Sequence, residues 1–230
     1  MKTIGIIGGM SPESTVLYYQ TINRELNRRL GGNRSAELVM HSVDFEQIAQ
    51  MQRNGDWAAA GARLADSARK LQSIGADALI LATNTMHKVA DEIQAAVQIP
   101  LLHVVDATAE AVKAQGLDTV GLLGTRFTMS DGFYTRRMNR LGVHTLVPAE
   151  TQQNEIHRII FEELCLGKNT AAAKTYYQDT METLQAQGAQ GVILGCTEIG
   201  LLIQPQDSPL PLFDSAEIHA QAAVAFMLQC

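Results

Sequence analysis

Short apolar runs alternate with longer amphipathic stretches along the whole chain. Eight runs read as strands, at residues 3–7, 37–42, 78–81, 101–104, 119–123, 144–147, 191–194 and 211–213. Their near-continuous hydrophobicity suits parallel strands covered on both faces. The stretches between them have helical periodicity and ordinary helix length. In the first helix, Ser11 is placed to cap free N–H groups, Pro12 suits the first helical position and Glu13 favours the positive dipole end; Gly31-Gly32 stops it. A second helix covers 57–74, with Asp56 as cap and Gly75 as stop. A later helical run, 156–166, holds Cys165, and the last helix covers 216–228. Ser130, Asn169 and Ser215 read as further caps, and Gln52 and Arg53 as part of a loop before Trp57. Strand and helix alternate throughout, which predicts an α/β fold with right-handed crossovers.

The pattern also repeats. Residues 75–83 (GADALILAT) and 188–196 (GAQGVILGC) share a helix-ending Gly, a short apolar strand and a terminal Thr or Cys, offset by 113 at both ends (188 minus 75, 196 minus 83). Residues 4–8 (IGIIG) and 120–124 (VGLLG) repeat at an offset of 116 (121 minus 5). Two pseudo-symmetric domains follow, each a parallel sheet flanked by helices, with an active site expected in the cleft between them. The predicted division is 1–105 plus 214–230 for the first domain and 106–213 for the second, the final helix folding back onto the first half.

Composition narrows the function. The net charge is −6 with no basic run, which argues against nucleic acid as a partner. The hydrophobic content of 46% and charged content of 18% are those of an ordinary globular chain. Three cysteines, Cys165, Cys196 and Cys230, are too few and too scattered for a disulfide framework or a zinc site. A thiol that must stay reduced fits the cytoplasm. The N-terminus lacks a signal-peptide core, and no window has the length of apolar sequence that a membrane span requires.

In open α/β sheets, ligands sit beyond the carboxyl ends of the strands. Four loops there carry the candidate chemistry, pairing first with third and second with fourth: Gly8-Gly9-Met10-Ser11, Thr83-Asn84-Thr85-Met86-His87, Gly124-Thr125-Arg126-Phe127-Thr128 and Gly195-Cys196-Thr197-Glu198. The glycine loops with their capped helices offer backbone N–H groups to a carboxylate, or they are plain tight turns. Neither is a dinucleotide fingerprint and no Walker lysine occurs. Met10, Ser11, Thr125 and Thr128 are thus candidate substrate contacts. Cys196 directly follows a buried strand, and its counterpart by repeat is Thr83. Asn84, Thr85, Thr197 and Glu198 surround that pair; Asn84, Thr85 and Thr197 either hydrogen-bond a small amino acid or cap their own loops. Gln52 and Arg53 are further candidates, Arg53 because a guanidinium binds a carboxylate bidentately, although a solvated arginine gives the same pattern. His87 reads as a helix start, and His103 and Cys165 as packing residues.

These motifs resemble the aspartate/glutamate racemase family: Gly-Gly-Met-Ser near the start, Asn84-Thr85-Met86-His87 after the third strand, Gly-Thr after the fifth, and Gly195-Cys196-Thr197-Glu198. The likeness runs from Ile4 to the last helix. With Phe161-Glu162-Glu163-Leu164-Cys165-Leu166-Gly167, it looks most like an enterobacterial-type branch described as L-aspartate/glutamate-specific or broad-specificity. The resemblance implies an isomerase that needs no pyridoxal phosphate or other cofactor and no metal, and often works as a homodimer. It also implies a mechanism in which two cysteines act on opposite faces of the substrate Cα, one as thiolate and one as thiol. A free thiol titrates at roughly 8.5, and a helix N-terminus or nearby donors can lower that, so a thiolate is expected near neutral pH.

The chain departs from the family pattern at Thr83, which holds the place of the first cysteine. A hydroxyl is far less acidic than a thiol. Cys196 is therefore expected to be the base, with Thr83 donating or relaying a proton on the other face; the resemblance implies that the second-half cysteine serves the L face, so L-aspartate or L-glutamate would be handled best. Two rival readings share the same residues. One is a single-cysteine decarboxylase of substituted malonates. The other is a non-catalytic binding protein for small acids.

Overall fold

The computed structural model describes residues 1–229; Cys230 lies outside the described residues. The chain divides into two compact units, 1–104 with 219–230, and 105–218.

The first unit contains β1 (Ile4–Gly8), α1 (Pro12–Leu30), β2 (Leu38–Ser42), α2 (Phe45–Asn54), α3 (Trp57–Ser73), β3 (Ala78–Leu81), a 3₁₀ turn at Thr85–Val89, α4 (Ala90–Ala95) and β4 (Leu101–Leu102). The second contains α5 (Val104–Ala114, whose first residue closes the first unit), β5 (Thr119–Gly124), α6 (Arg126–Ser130), α7 (Phe133–Arg140), β6 (His144–Leu146), α8 (Glu150–Glu162), a 3₁₀ turn at Leu164–Leu166, α9 (Ala171–Ala186), β7 (Val192–Gly195), α10 (Ile199–Leu202), a 3₁₀ turn at Pro205–Asp207 and β8 (Leu212–Asp214). The last helix, α11 (Ser215–Met227), begins in the second unit and continues in the first.

Each unit holds one four-stranded parallel sheet, and the two have the same order, β2-β1-β3-β4 and β6-β5-β7-β8. The central strands β1, β3 and β7 are buried along their whole length, as their apolar runs require. Helices supply the covering faces. In α3, Ala60, Leu64, Ala68 and Leu71 form one buried stripe, which packs with Ile7, Leu79 and Leu81 of the sheet. In the second unit, Ile156, Ile159 and Ile160 of α8 and Tyr177, Met181 and Leu184 of α9 cover Leu123, Val192 and Leu194. Each fully buried Leu or Ile contributes about 1.5–3 kcal/mol relative to exposure.

Local signals explain most helix ends. Ser11 accepts the Ser14 N–H at 3.2 Å and Asp56 accepts that of Ala59 at 3.0 Å. The structure also corrects several expectations. Gln52 and Arg53 lie in α2, not in a loop. Asp44 caps that helix, Phe45, Ile48 and Met51 recur at helical spacing, and Gly55 ends it in the left-handed region. Ser130 caps no helix: it is the last residue of α6, and Gly132 holds the N-cap place of α7; Thr170, not Asn169, caps α9. At α11 the Asp214 carboxylate takes the Ala216 and Glu217 N–H groups, while the Ser215 hydroxyl donates to the Leu194 carbonyl at 2.8 Å. Cys165 sits in the 3₁₀ turn beyond α8, because that helix stops at Glu162. The fourth strand is cut to Leu101–Leu102, since Val104 already opens α5. The other strands start or end within a residue of their apolar runs.

Candidate active site

In each sheet the chain reverses direction of growth at the central strand, β1 or β5. That is the topological switch point at which open α/β sheets hold ligands. The loops beyond β1 and β3, and beyond β5 and β7, are the four that carry the candidate residues. Register aligns them: Ile7 pairs with Leu81, and Gly124 with Gly195.

In the first unit, Gly9 takes φ +92° and gives its N–H to Thr15 Oγ1 at 2.8 Å, while Gly8 O accepts from Val43 N at 2.9 Å. Ser11 uses its hydroxyl oxygen on the α1 cap, and Met10 is buried in the core. After β3 the chain turns tightly, with Thr83 N–H on Leu81 O at 2.8 Å. Thr83 is partly exposed, whereas Asn84 and Thr85 are buried. Gln52 is buried and reaches the loop from α2, its Nε2 3.0 Å from Met86 Sδ. Arg53 is on the exposed side of α2, in an ion pair with Glu46. Its charge is thus matched within its own helix.

In the second unit, Thr125 Oγ1 accepts the Thr128 N–H at 3.3 Å and lies 3.1 Å from Thr128 Oγ1. Both hydroxyls serve the α6 cap. Cys196 is partly exposed at the end of β7, and its Sγ–H donates to Glu198 Oε2 at 3.0 Å. The Thr197 hydroxyl donates to the same oxygen at 2.6 Å. Burial first, and then the Glu198 carboxylate, push the Cys196 thiol well above its ordinary value; a Glu198 backbone N–H on the sulfur works the other way. This corrects the expectation of a resting thiolate near neutral pH. The helix that follows, α10, is only four residues long, and the nearest full charge is negative. Cys196 rests as a thiol with a proton acceptor already in place. Cys165 and Tyr177 pack on the same core.

His87, read from sequence as a simple helix start, has a larger part. Its Nδ1 lies 2.8 Å from Thr83 O. The four-residue spacing is a signal for this, because side chains in a helical turn point back toward the preceding turn. Among the described residues, no group of three or more His, Cys, Asp or Glu could hold a metal ion, and no helix is long and apolar enough to cross a membrane.

The fold and these loops define a class: α/β proteins built from two parallel sheets of like strand order, each with polar loops at its switch point. Within that class, the profile of the Asp/Glu/hydantoin racemase family matches residues 7–223, and the chain belongs to this family. It is 25% identical to the broad-specificity amino-acid racemase RacX of Bacillus subtilis (strain 168), over 98% of each chain. A crystal structure of a Yersinia pestis protein assigned to the Asp/Glu racemases superposes with a TM-score of 0.94 at 48% identity, covering 100% of both chains. An aspartate racemase homologue from Pyrococcus horikoshii OT3 superposes at 0.86 with 36% identity, again covering 100% of both chains. Glutamate racemase from Francisella tularensis shares the fold, at 16% identity over 98% of this chain and 80% of its own, with a TM-score of 0.60.

Proposed function

We propose that the chain racemises a small amino acid without a cofactor, L-aspartate or L-glutamate first, by moving a proton from one face of Cα to the other. Cys196 is assigned as the base and Thr83 as the proton donor or relay for the other face of Cα. The observation that carries this reading is the Cys196 thiol at the end of β7, hydrogen-bonded to a carboxylate at 3.0 Å, with Thr83 at the equivalent end of β3.

The resting thiol must first lose its proton. Glu198 Oε2 takes it when the substrate's α-ammonium brings positive charge beside the sulfur. The thiolate then removes the Cα proton, and the electron pair left on carbon spreads into the substrate carboxylate. Backbone N–H groups of the loops stabilise that growing charge. The Thr83 hydroxyl delivers a proton to the far face and regains one from solvent, while Glu198 gives up to solvent the proton it took from the sulfur, which resets the site. Since a threonine alkoxide forms with great difficulty, the reverse direction is slow and catalysis is lopsided. Asn84, Thr85 and Thr197 orient the substrate, with Met10, Ser11, Gln52, Thr125 and Thr128 shaping the loops around it. Arg53 contributes to the side-chain carboxylate only if it leaves Glu46.

The test is proton exchange in D2O, run separately on L- and D-aspartate and L- and D-glutamate. The L isomers are expected to gain deuterium at Cα and slowly yield the D isomer. Cys196→Ala should abolish both, and unchanged exchange in that variant would remove Cys196 as the base. The homodimer and cytoplasmic setting implied by the resemblance belong to the same proposal; light scattering on purified protein reads the first.

A further inference from the structure

Thr83 stands outside regular structure, yet a proton donor must be held to a fraction of an ångström. Besides the Thr83 N–H on Leu81 O, a side chain holds it from the other side. The Thr83 carbonyl accepts from His87 Nδ1 at 2.8 Å, and His87 Nε2 accepts from the Val104 N–H at 3.3 Å. A carbonyl can only accept and a backbone N–H can only donate. The imidazole is therefore held in one form, neutral, with its proton on Nδ1. Val104 is the residue at which the chain leaves the first unit.

The ring is braced as well as bonded. His103 lies 4.5 Å from it by ring centroid, and His219 lies 5.7 Å away. His219 is locked in turn: its Nδ1 faces the Tyr18 hydroxyl at 3.0 Å and its Nε2 faces Leu102 O at 2.8 Å. His87, His219 and Tyr18 are almost wholly buried. Such a wall leaves the imidazole little freedom to turn away from Thr83.

We infer that His87 is the positioning residue for the Thr83 face of the reaction, an assignment that rests on the racemase reading above. It touches no substrate; it sets where the Thr83 hydroxyl points. Misplacement of a reacting group by about 1 Å costs on the order of 100-fold in rate.

The assignment separates two readouts in D2O. Deuterium uptake into the L isomer needs only removal and return on the Cys196 face. Formation of the D isomer also needs Thr83. His87→Leu is expected to lower D-isomer formation about 100-fold while leaving uptake into the L isomer unchanged. His87→Asn places an amide N–H where Nδ1 stood and should restore most of the lost D-isomer formation. His87→Gln, whose amide lies one carbon farther out, should not. If uptake and D-isomer formation fall together, or if Asn does no better than Leu, the ring is mere packing and the assignment is wrong. A wild-type chain that exchanges nothing overturns the racemase reading and this assignment with it. A wild-type chain that racemises beside an equally active His87→Leu overturns the assignment alone. Long-range ¹H–¹⁵N spectra of the wild type give an independent check that needs no variant: a proton found on Nε2 of His87 refutes it.

Discussion

Acidification from pH 7 to pH 4 should cost the first unit about 3 kcal/mol through one side chain, His219. The ring is fully buried, and both nitrogens are used by the neutral form, one accepting from Tyr18 and one donating to Leu102 O. Burial pushes its pKa down from 6.5 to about 4, and the Leu102 carbonyl offsets this only in part. Below 6.5 the unfolded chain takes up a proton that the folded chain refuses until about 4. The stabilisation is therefore complete above pH 6.5, falls through the window between the two values, and is flat below. At ~1.4 kcal/mol per pK unit, the gap amounts to about 3 kcal/mol, a large share of the roughly 5–15 kcal/mol that holds a typical domain. Trp57 is the sole tryptophan and lies in the first unit, so its fluorescence reports unfolding there. Urea melts of the wild type and of His219→Gln at several pH values between 7 and 4 give the difference directly. Contributions from His41 and His157, which burial also pushes down, are common to both proteins and cancel. The stability gap between wild type and variant should shrink by about 3 kcal/mol on acidification. A gap independent of pH, or one that widens, would refute the reasoning.

Two further predictions concern the loops. Glu198→Gln removes the negative charge that raises the Cys196 thiol, so alkylation of Cys196 by iodoacetamide at pH 8, followed by peptide mapping, should speed up several-fold; slower alkylation would contradict the assigned electrostatics. Gly9→Ala would place a Cβ 2.3 Å from Val43 O at φ +92°, whereas Gly55→Ala, at φ +69°, meets nothing within 4 Å. Both cost roughly 1–3 kcal/mol of backbone strain, but only Gly9→Ala must also displace the Val43 backbone just beyond β2. Gly9→Ala should therefore unfold at a clearly lower urea concentration, and equal midpoints would show that the loop yields freely.

Much of the architecture was legible along the chain. Strands such as β1, β3 and β7 announce themselves because burial on both faces demands unbroken apolar runs. Ser11, Asp56, Gly31 and Gly75 mark helix ends because capping acts within three or four residues. Membership of the racemase family was visible in the loop motifs and is matched by the family profile over residues 7–223. Elements failed where the local signal was thin. The helix α2 hid behind its polar residues, and β4 is too short to show a period.

What the sequence determined by itself is therefore local: where the apolar runs fall, where helices stop, and which reactive side chains follow a buried strand. The folded structure decided how those side chains are partnered. It set Arg53 against Glu46, gave the Cys196 proton a carboxylate acceptor and so kept the sulfur a thiol, and tied Thr83 through His87 to Val104. It joined Tyr18 to His219 across 201 residues of chain. Periodicity and capping act over a few residues and can be read in order. Desolvation, and hydrogen bonds such as Tyr18 to His219 or Val104 to His87, depend on which segments folding brings together, and no short window of sequence contains both partners; the Glu46, Glu198 and Thr83 contacts are local in sequence but are selected by how each turn folds.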